Sequence, residues 1–199
     1  MGIGAGVRHS LKELGTDIFV IEQLLEPSLC SHVIQVAECC EFLSPPPGSS
    51  LVGELRSNEV LPLNNPTSLL ESLNQLLVRQ LAIARDLLSK RYDVTFSHIE
   101  MYSIERFKPG QSHKRHRDGL ILTNRHAELA QGIAARDVSL IGYLNDEFEG
   151  GELLLDRQSV KIKPATGSII CFPACYTHPY QVLPVLRGCK YALVSWLLH

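Results

Sequence analysis

The chain has no excess of basic charge: 19 Lys and Arg stand against 21 Asp and Glu, a formal net charge of −2 at pH 7. General nucleic-acid binding needs a strongly basic face, so nucleic acid is not expected as a partner. No apolar run is long enough to cross a membrane, and MGIGAGVRHSLKELG (1–15) has no signal-peptide apolar core. Its Met-Gly start is not followed by Ser or Thr at the sixth position, where Gly6 stands, so myristoylation is not expected either. Cys30, Cys39, Cys40, Cys171, Cys175 and Cys189 lack the spacing of a secreted disulfide scaffold. Adjacent Cys39 and Cys40 suit free thiols in a reducing compartment, and Cys171 and Cys175 read as core cysteines. Together these absences give a cytoplasmic protein with no membrane partner. Internal repeats and long low-complexity segments are also missing.

What is present suits one domain over residues 1–199, with 45% apolar and 20% charged residues, enough to form a core. TDIFVIEQLL (16–25) reads as a strand, and EPSLCSHVIQVAECCEFL (26–43) as a helix started by Pro27 and Ser28. NPTSLLESLNQLLVRQLAIARDLLSKRY (65–92) reads as a helix with a wide apolar stripe that runs from Leu69 through Leu76 and Ile83 to Leu88. After residue 94 the texture changes to strands split by Gly, Pro, Asn and Asp: 94–107, 137–146, 151–156, 158–164, 167–173 and 190–198. The order gives an α+β protein with helical support mainly over 26–92 and a sheet core over about 94–198, the helices packing outside a sandwich or barrel. Gly150-Gly151 reads as a tight turn after a strand; no helix follows it, so it is not a phosphate loop.

Two stretches carry chemistry. In HKRHRDG (113–119), His116 and Asp118 are two residues apart, so on an extended chain they face the same side. An imidazole and a carboxylate presented together are two parts of a two-histidine, one-carboxylate site for non-haem Fe(II). The tripeptide by itself suits a solvated basic loop better than a metal site. The second stretch is CYTHPYQVLPVLRGCKY (175–191), which carries His178, Tyr180 and Lys190 into an apolar, strand-rich region. Each is costly to bury without a partner, so each faces water or has a ligand.

In order, RFKPGQSHKRHRDG, SLIGYLNDEFEGGELLL, GSIICFP and LPVLRGCKYALVSW resemble the 2-oxoglutarate- and Fe(II)-dependent dioxygenases, in particular their prolyl-4-hydroxylase-like branch. The resemblance covers about 94–197. It implies a double-stranded β-helix, a jelly-roll barrel with iron near its mouth, and the cofactors Fe(II) and 2-oxoglutarate, with ascorbate as a stimulant. His116 and Asp118 match two of the iron ligands. Lys190 matches the cation that receives the far carboxylate of 2-oxoglutarate, and Tyr143 a strand position that can hydrogen-bond the same group. Relatives often carry a tyrosine for this purpose where Phe107 stands, and Tyr102 would compensate if it faced inward. In most relatives the third iron ligand is a histidine four residues before the proline of P-V-x-x-G; that position is Tyr180 here. His178 lies two residues earlier, a displacement of roughly 6–7 Å along a strand, which a bulge or the bend at Pro179 would absorb. The expectation is therefore His178 as third ligand, with Tyr180 beside it. His113 is read as a surface neighbour, and His98 and His126 as structural or exposed.

The implied reaction is hydroxylation of an unactivated C–H bond by O₂, with 2-oxoglutarate converted to succinate and CO₂. The first expected substrate is a prolyl residue of a peptide or protein; a free amino acid or small natural-product intermediate is the alternative. Substrate choice is expected in loops 44–64 and 119–137. Arg106, Lys108, Lys114, Arg115 and Arg117 form a basic cluster that suits either an acidic substrate or a solvated face. From other classes, a jelly-roll binding module that has lost iron also fits, as does a cupin-like sugar binder, though the latter leaves His116, Asp118 and Lys190 unexplained.

Overall fold

Along the strands of the larger sheet, successive side chains enter two different cores, which explains why their sequences read as nearly continuous apolar runs. Strand β6 (Val138–Tyr143) sends Val138 and Leu140 to one side and Ile141 and Tyr143 to the other. Strand β10 (Ile169–Pro173) does the same with Ile169 and Cys171 against Ile170 and Phe172. A period of two with apolar residues in both phases requires cover on both faces. Two helices cover one face and a second sheet covers the other. This computed structural model describes residues 9–44, 56–63, 68–119 and 135–199; the side chains of Ser68, Leu69, Met101 and Tyr102 lie outside the description. Most of both expected substrate loops (45–55 and 120–134), and with them His126, also lies outside the described residues.

In chain order the remaining elements are β1 (Lys12–Gly15), β2 (Ile18–Ile21), α1 (Pro27–Glu38), β3 (Glu59–Pro62), α2 (Ser68–Tyr92), β4 (His98–Phe107), β5 (His113–His116), β7 (Glu149–Gly150), β8 (Leu153–Leu155), β9 (Val160–Ile162), β11 (Tyr180–Val182), β12 (Val185–Arg187) and β13 (Lys190–Leu198). The larger sheet runs β1-β2-β10-β6-β13-β4-β3, the smaller β5-β11-β8-β9, and β12 pairs with β7. All the pairings are antiparallel. The α+β reading stands, with the helices outside the sheets.

Pro27 opens α1, where its missing N–H costs nothing, and buried Cys30, Val33 and Ala37 recur every three or four residues. In α2 the buried stripe is Leu70, Leu73, Leu77, Leu81, Ala84 and Leu88. It is narrower than the sequence suggested: Leu76 and Ile83 are exposed, because the helix meets the sheet along one line and is not enclosed. On the sheet's other face Phe107, Ile141, Tyr143, Ile170, Phe172 and Ala192 meet Leu153, Leu155, Tyr180 and Val182 of the smaller sheet. This inner space also holds polar side chains. Glu105 on β4, Ser139 on β6 and Lys190 on β13 are all buried in strands that face it. Buried polar groups in an otherwise apolar interior mark the place to look for chemistry.

Candidate metal and oxoacid site

Strand β5 ends at His116, two residues short of Asp118, and pairs with β11 so that Tyr180 stands opposite His116. The two rings lie tilted with centroids 4.3 Å apart. His116 Nδ1 is 2.8 Å from the Lys114 carbonyl oxygen. A carbonyl can only accept, so Nδ1 carries the hydrogen and Nε2 presents a lone pair. That Nε2 is buried and has no hydrogen-bond partner, yet it lies 3.4 Å from Asp118 Oδ1. Two acceptors facing each other at this distance leave a gap that a cation would fill.

Asp118 is held from its other sides. Ser139 Oγ donates to Oδ2 at 2.7 Å, and the Tyr180 hydroxyl is 3.1 Å from Oδ1 and 3.2 Å from Oδ2. Burial opposes charge on Asp118, but His116 when protonated, with Trp196 and Ser139, outweighs it and holds the carboxyl down at about 2. The group is therefore an anion at neutral pH. Tyr180 is pushed the opposite way, its hydroxyl held protonated by burial and by the neighbouring Asp118 charge.

Around this pair is a cleft of about 230 Å³ lined by Arg56, Glu105, His113, Arg136 and Trp196 among others. Arg136 makes a two-pronged contact with Glu100 at 2.6 and 2.5 Å and lies over the Trp196 ring at 3.5 Å. Glu105 is buried with Arg56 3.9 Å away, and burial raises its carboxyl despite that arginine. His113 stacks on His116 with ring centroids 3.7 Å apart. Burial, with His116 and Arg56 nearby, pushes its imidazole down to about 3, so it stays neutral.

Deeper in the inter-sheet space Lys190 is 1% exposed. Its Nζ donates to the Gly151 carbonyl at 2.9 Å and reaches the Tyr143 hydroxyl at 3.5 Å. The rings of Tyr143 and Phe107 lie 4.7 and 5.2 Å from it. No carboxylate among the described residues makes an ion pair with it. Burial lowers this ammonium to about 7, only partly countered by more distant Glu105 and Glu152. In place of the expected tight turn, Gly150 ends β7 in a pairing with Val185 and Gly151 follows it, both at positive φ (+73° and +65°), and the Gly151 carbonyl is presented to Lys190.

The structure thus brings His116 and Asp118 together, and Lys190 and Tyr143 together. It does not bring His178 to them. His178 is buried, but Nε2 donates to the Thr16 carbonyl at 2.9 Å and Nδ1 accepts from the Thr177 hydroxyl at 2.8 Å, so neither nitrogen is free. In place of the expected inward position beside Tyr180, His178 precedes β11: it closes a turn through its backbone N–H to the Cys175 carbonyl, and strand alternation does not reach it. Tyr180, the first residue of β11, takes the inward place. His113 is likewise buried and not a surface neighbour, as β5 turns it onto His116. The side chain of Tyr102 lies outside the described residues. Within the basic cluster, Arg106 pairs with Glu38 and Glu59, Lys108 with Glu59, and Arg115 with Asp156. Sequence reasoning missed Glu105, Ser139 and Trp196, although each stands on a strand that it had found. Among the described residues, no group of three His, Cys, Asp or Glu side chains could hold a metal ion.

Residues 100–198 match the family model of the 2OG-Fe(II) oxygenase superfamily. A PKHD-type hydroxylase of Synechococcus sp. is 32% identical over 105 residues, which cover 50% of this chain and 43% of that protein. The chain thus spans less than half the length of that relative. Among solved structures, the viral collagen prolyl hydroxylase of Paramecium Bursaria Chlorella virus-1, in its 2OG complex, superposes with a TM-score of 0.68 at 23% identity, covering 92% of this chain and 96% of that one. A prolyl hydroxylase of Trichoplax adhaerens, in complex with a hypoxia inducible factor peptide fragment, gives 0.65 at 18% identity, covering 92% and 83%. At such identities the likeness to the solved structures is one of fold.

Proposed function

Because this chain belongs to the 2OG-Fe(II) oxygenase superfamily, we propose that it hydroxylates an unactivated C–H bond, with a prolyl residue of a peptide or protein as first substrate. The two facing sheets are read as the double-stranded β-helix of that superfamily. The observation that carries the proposal is the gap between His116 Nε2 and Asp118 Oδ1, two buried acceptors 3.4 Å apart with no hydrogen bond between them. An imidazole lone pair beside a carboxylate held ionised suits Fe(II), so these two residues would hold the metal. Lys190 would hold the far carboxylate of 2-oxoglutarate: a buried ammonium with no anionic partner is a poor resting state that a bound carboxylate improves.

When bound, the iron supplies the oxidising chemistry with O₂, and 2-oxoglutarate leaves as succinate and CO₂. The chain's own part is orientation and shielding. The Lys114 carbonyl fixes the His116 tautomer and ring plane, while Ser139 and Tyr180 fix the Asp118 carboxylate. Phe107, Tyr143 and Phe148 enclose Lys190 and exclude water from its charge. Prolyl substrates are supported by the names of the relatives, and a peptide by the complex of the Trichoplax adhaerens enzyme.

The test is anaerobic addition of Fe(II) and 2-oxoglutarate to folded protein, followed by admission of O₂ and assay for succinate without added substrate. A visible charge-transfer band and slow succinate release are expected. Folded protein that shows neither would favour the second reading, an iron-free binding module, which the tyrosine in the third ligand's place keeps open.

A further inference from the structure

A two-histidine, one-carboxylate site needs a second imidazole, and the described residues place none that converges with His116 and Asp118 on a common point. Among the described residues His113 is the one other histidine lining the cleft, but its ring stacks on His116 at 3.7 Å, so it covers the ligand's face and does not converge with it on a common point. His178 has both nitrogens committed to Thr16 and Thr177. Tyr180 fills the inward position. Its hydroxyl has one hydrogen, and both Asp118 oxygens lie within 3.2 Å to receive it. A neutral phenol that donates to the carboxylate is a weak metal donor, and imidazole or carboxylate is preferred.

We infer that Tyr180 is a positioning residue for Asp118 and not a metal ligand. Among the described residues a divalent cation therefore meets two protein donors, His116 Nε2 and Asp118, with the second imidazole's place left to an exchangeable donor. The inference rests on the metal-site reading above. It has a chemical consequence: one more coordination position is open to water or to a substrate heteroatom than a complete triad allows. Glu105 is the competing protein donor, since it is a buried carboxylate lining the same cleft. Its nearest charged partner is Arg56 at 3.9 Å, which draws it toward a cation already present.

The experiment uses Mn(II) as probe on the whole chain, with affinity from titration calorimetry and inner-sphere water from proton relaxation. In an octahedral ion two protein donors leave about four waters and three leave about three. The expected result is about four waters for the native protein. Tyr180→His should gain a ligand, bind Mn(II) at least ten-fold more tightly and retain about three waters. Tyr180→Phe, which frees the Asp118 carboxylate to turn, should weaken Mn(II) binding by roughly ten-fold while the count stays at about four waters, and Glu105→Gln should keep the native affinity within roughly three-fold. About three waters in the native protein rising to about four in Tyr180→Phe, with a visible phenolate band in the Fe(III) form of the native protein, would make Tyr180 a ligand and overturn the inference while leaving the metal site standing. Loss of ten-fold or more in Glu105→Gln, with one water gained, would overturn it in favour of Glu105. If folded native protein binds no Mn(II) but Tyr180→His does, the metal-site reading itself falls, and the inference with it.

Discussion

Lys190 Nζ donates to the Gly151 carbonyl at 2.9 Å, linking the first residue of β13 to the connection between β7 and β8. That neutral acceptor is its best partner among the described residues, inside a space where a charge needs an anion. Replacing Lys190 with Met keeps most of the volume and removes the charge. The 2-oxoglutarate affinity should fall by one to two orders of magnitude, since a charge-assisted hydrogen bond is worth about 1.5–3 kcal/mol. Mn(II) affinity measured without 2-oxoglutarate should not change. Normal 2-oxoglutarate binding by the variant would assign the role to another cation.

The same residue makes a pH prediction. Burial lowers the Lys190 ammonium in the folded protein to about 7, against 10.5 for an unperturbed lysine. Between these values the unfolded chain holds a proton that the folded chain lacks, so stability rises with pH across about 7 to 10.5. Below about 7 the full cost of burying the charge is felt. A bound carboxylate reverses the shift, so 2-oxoglutarate binding at pH 8 should take up close to one proton per site. Calorimetry in buffers of different ionisation enthalpy reads this number directly. The uptake should vanish in Lys190→Met; an uptake that persists there would place the titrating group elsewhere.

Asp118 gives the opposite sign. Its folded carboxyl sits at about 2, below the ordinary 3.8, so it contributes stability above about 4 that is lost as pH falls toward 2. The contribution is on the order of 2 kcal/mol. Asp118→Asn should therefore be less stable at pH 7 and show a flatter acid limb, by urea melts from pH 2 to 7. Ser139→Ala removes the 2.7 Å donor and should move the native acid limb upward. An unchanged limb in both variants would show that Asp118 gains nothing from its neighbours.

The sequence made the frame of this site legible because strands carry their own register. His116 and Asp118 were found from a two-residue spacing, and Lys190 from a charge heading the apolar run KYALVSWLL (190–198). Tyr143 followed from the family resemblance and not from the strand pattern, which suits a core tyrosine as well. Glu105 and Ser139 were equally accessible in principle: each breaks an apolar alternation at an inward position of β4 or β6. What alternation does not reveal is where a strand begins. β11 is only Tyr180–Val182, and the residues before it form a turn, so a two-residue difference in where the strand begins decides whether His178 or Tyr180 meets Asp118. Short strands such as β3, β5, β7 and β12 carry too few residues for a period to stand out, and pairing with distant segments fixes them instead.

The role left to His178 is structural. Its Nε2 hydrogen bond to the Thr16 carbonyl joins the turn before β11 to the tight turn between β1 and β2, where Asp17 adopts a φ of +56°. Among the described side chains of residues 175–179, only His178 hydrogen-bonds that carbonyl. His178→Ala should leave the Thr16 carbonyl without its donor and open a void, at a cost of about 2 kcal/mol, or roughly 4–8 °C in melting temperature. Mn(II) affinity should stay at the native value, whereas His116→Ala, which removes a lone pair aimed into the cleft, should lose it. Paired melts and titrations of the two variants decide the matter. If His178→Ala instead loses the metal and keeps its melting temperature, the third ligand is His178 after all, and the turn before β11 must rearrange to deliver it.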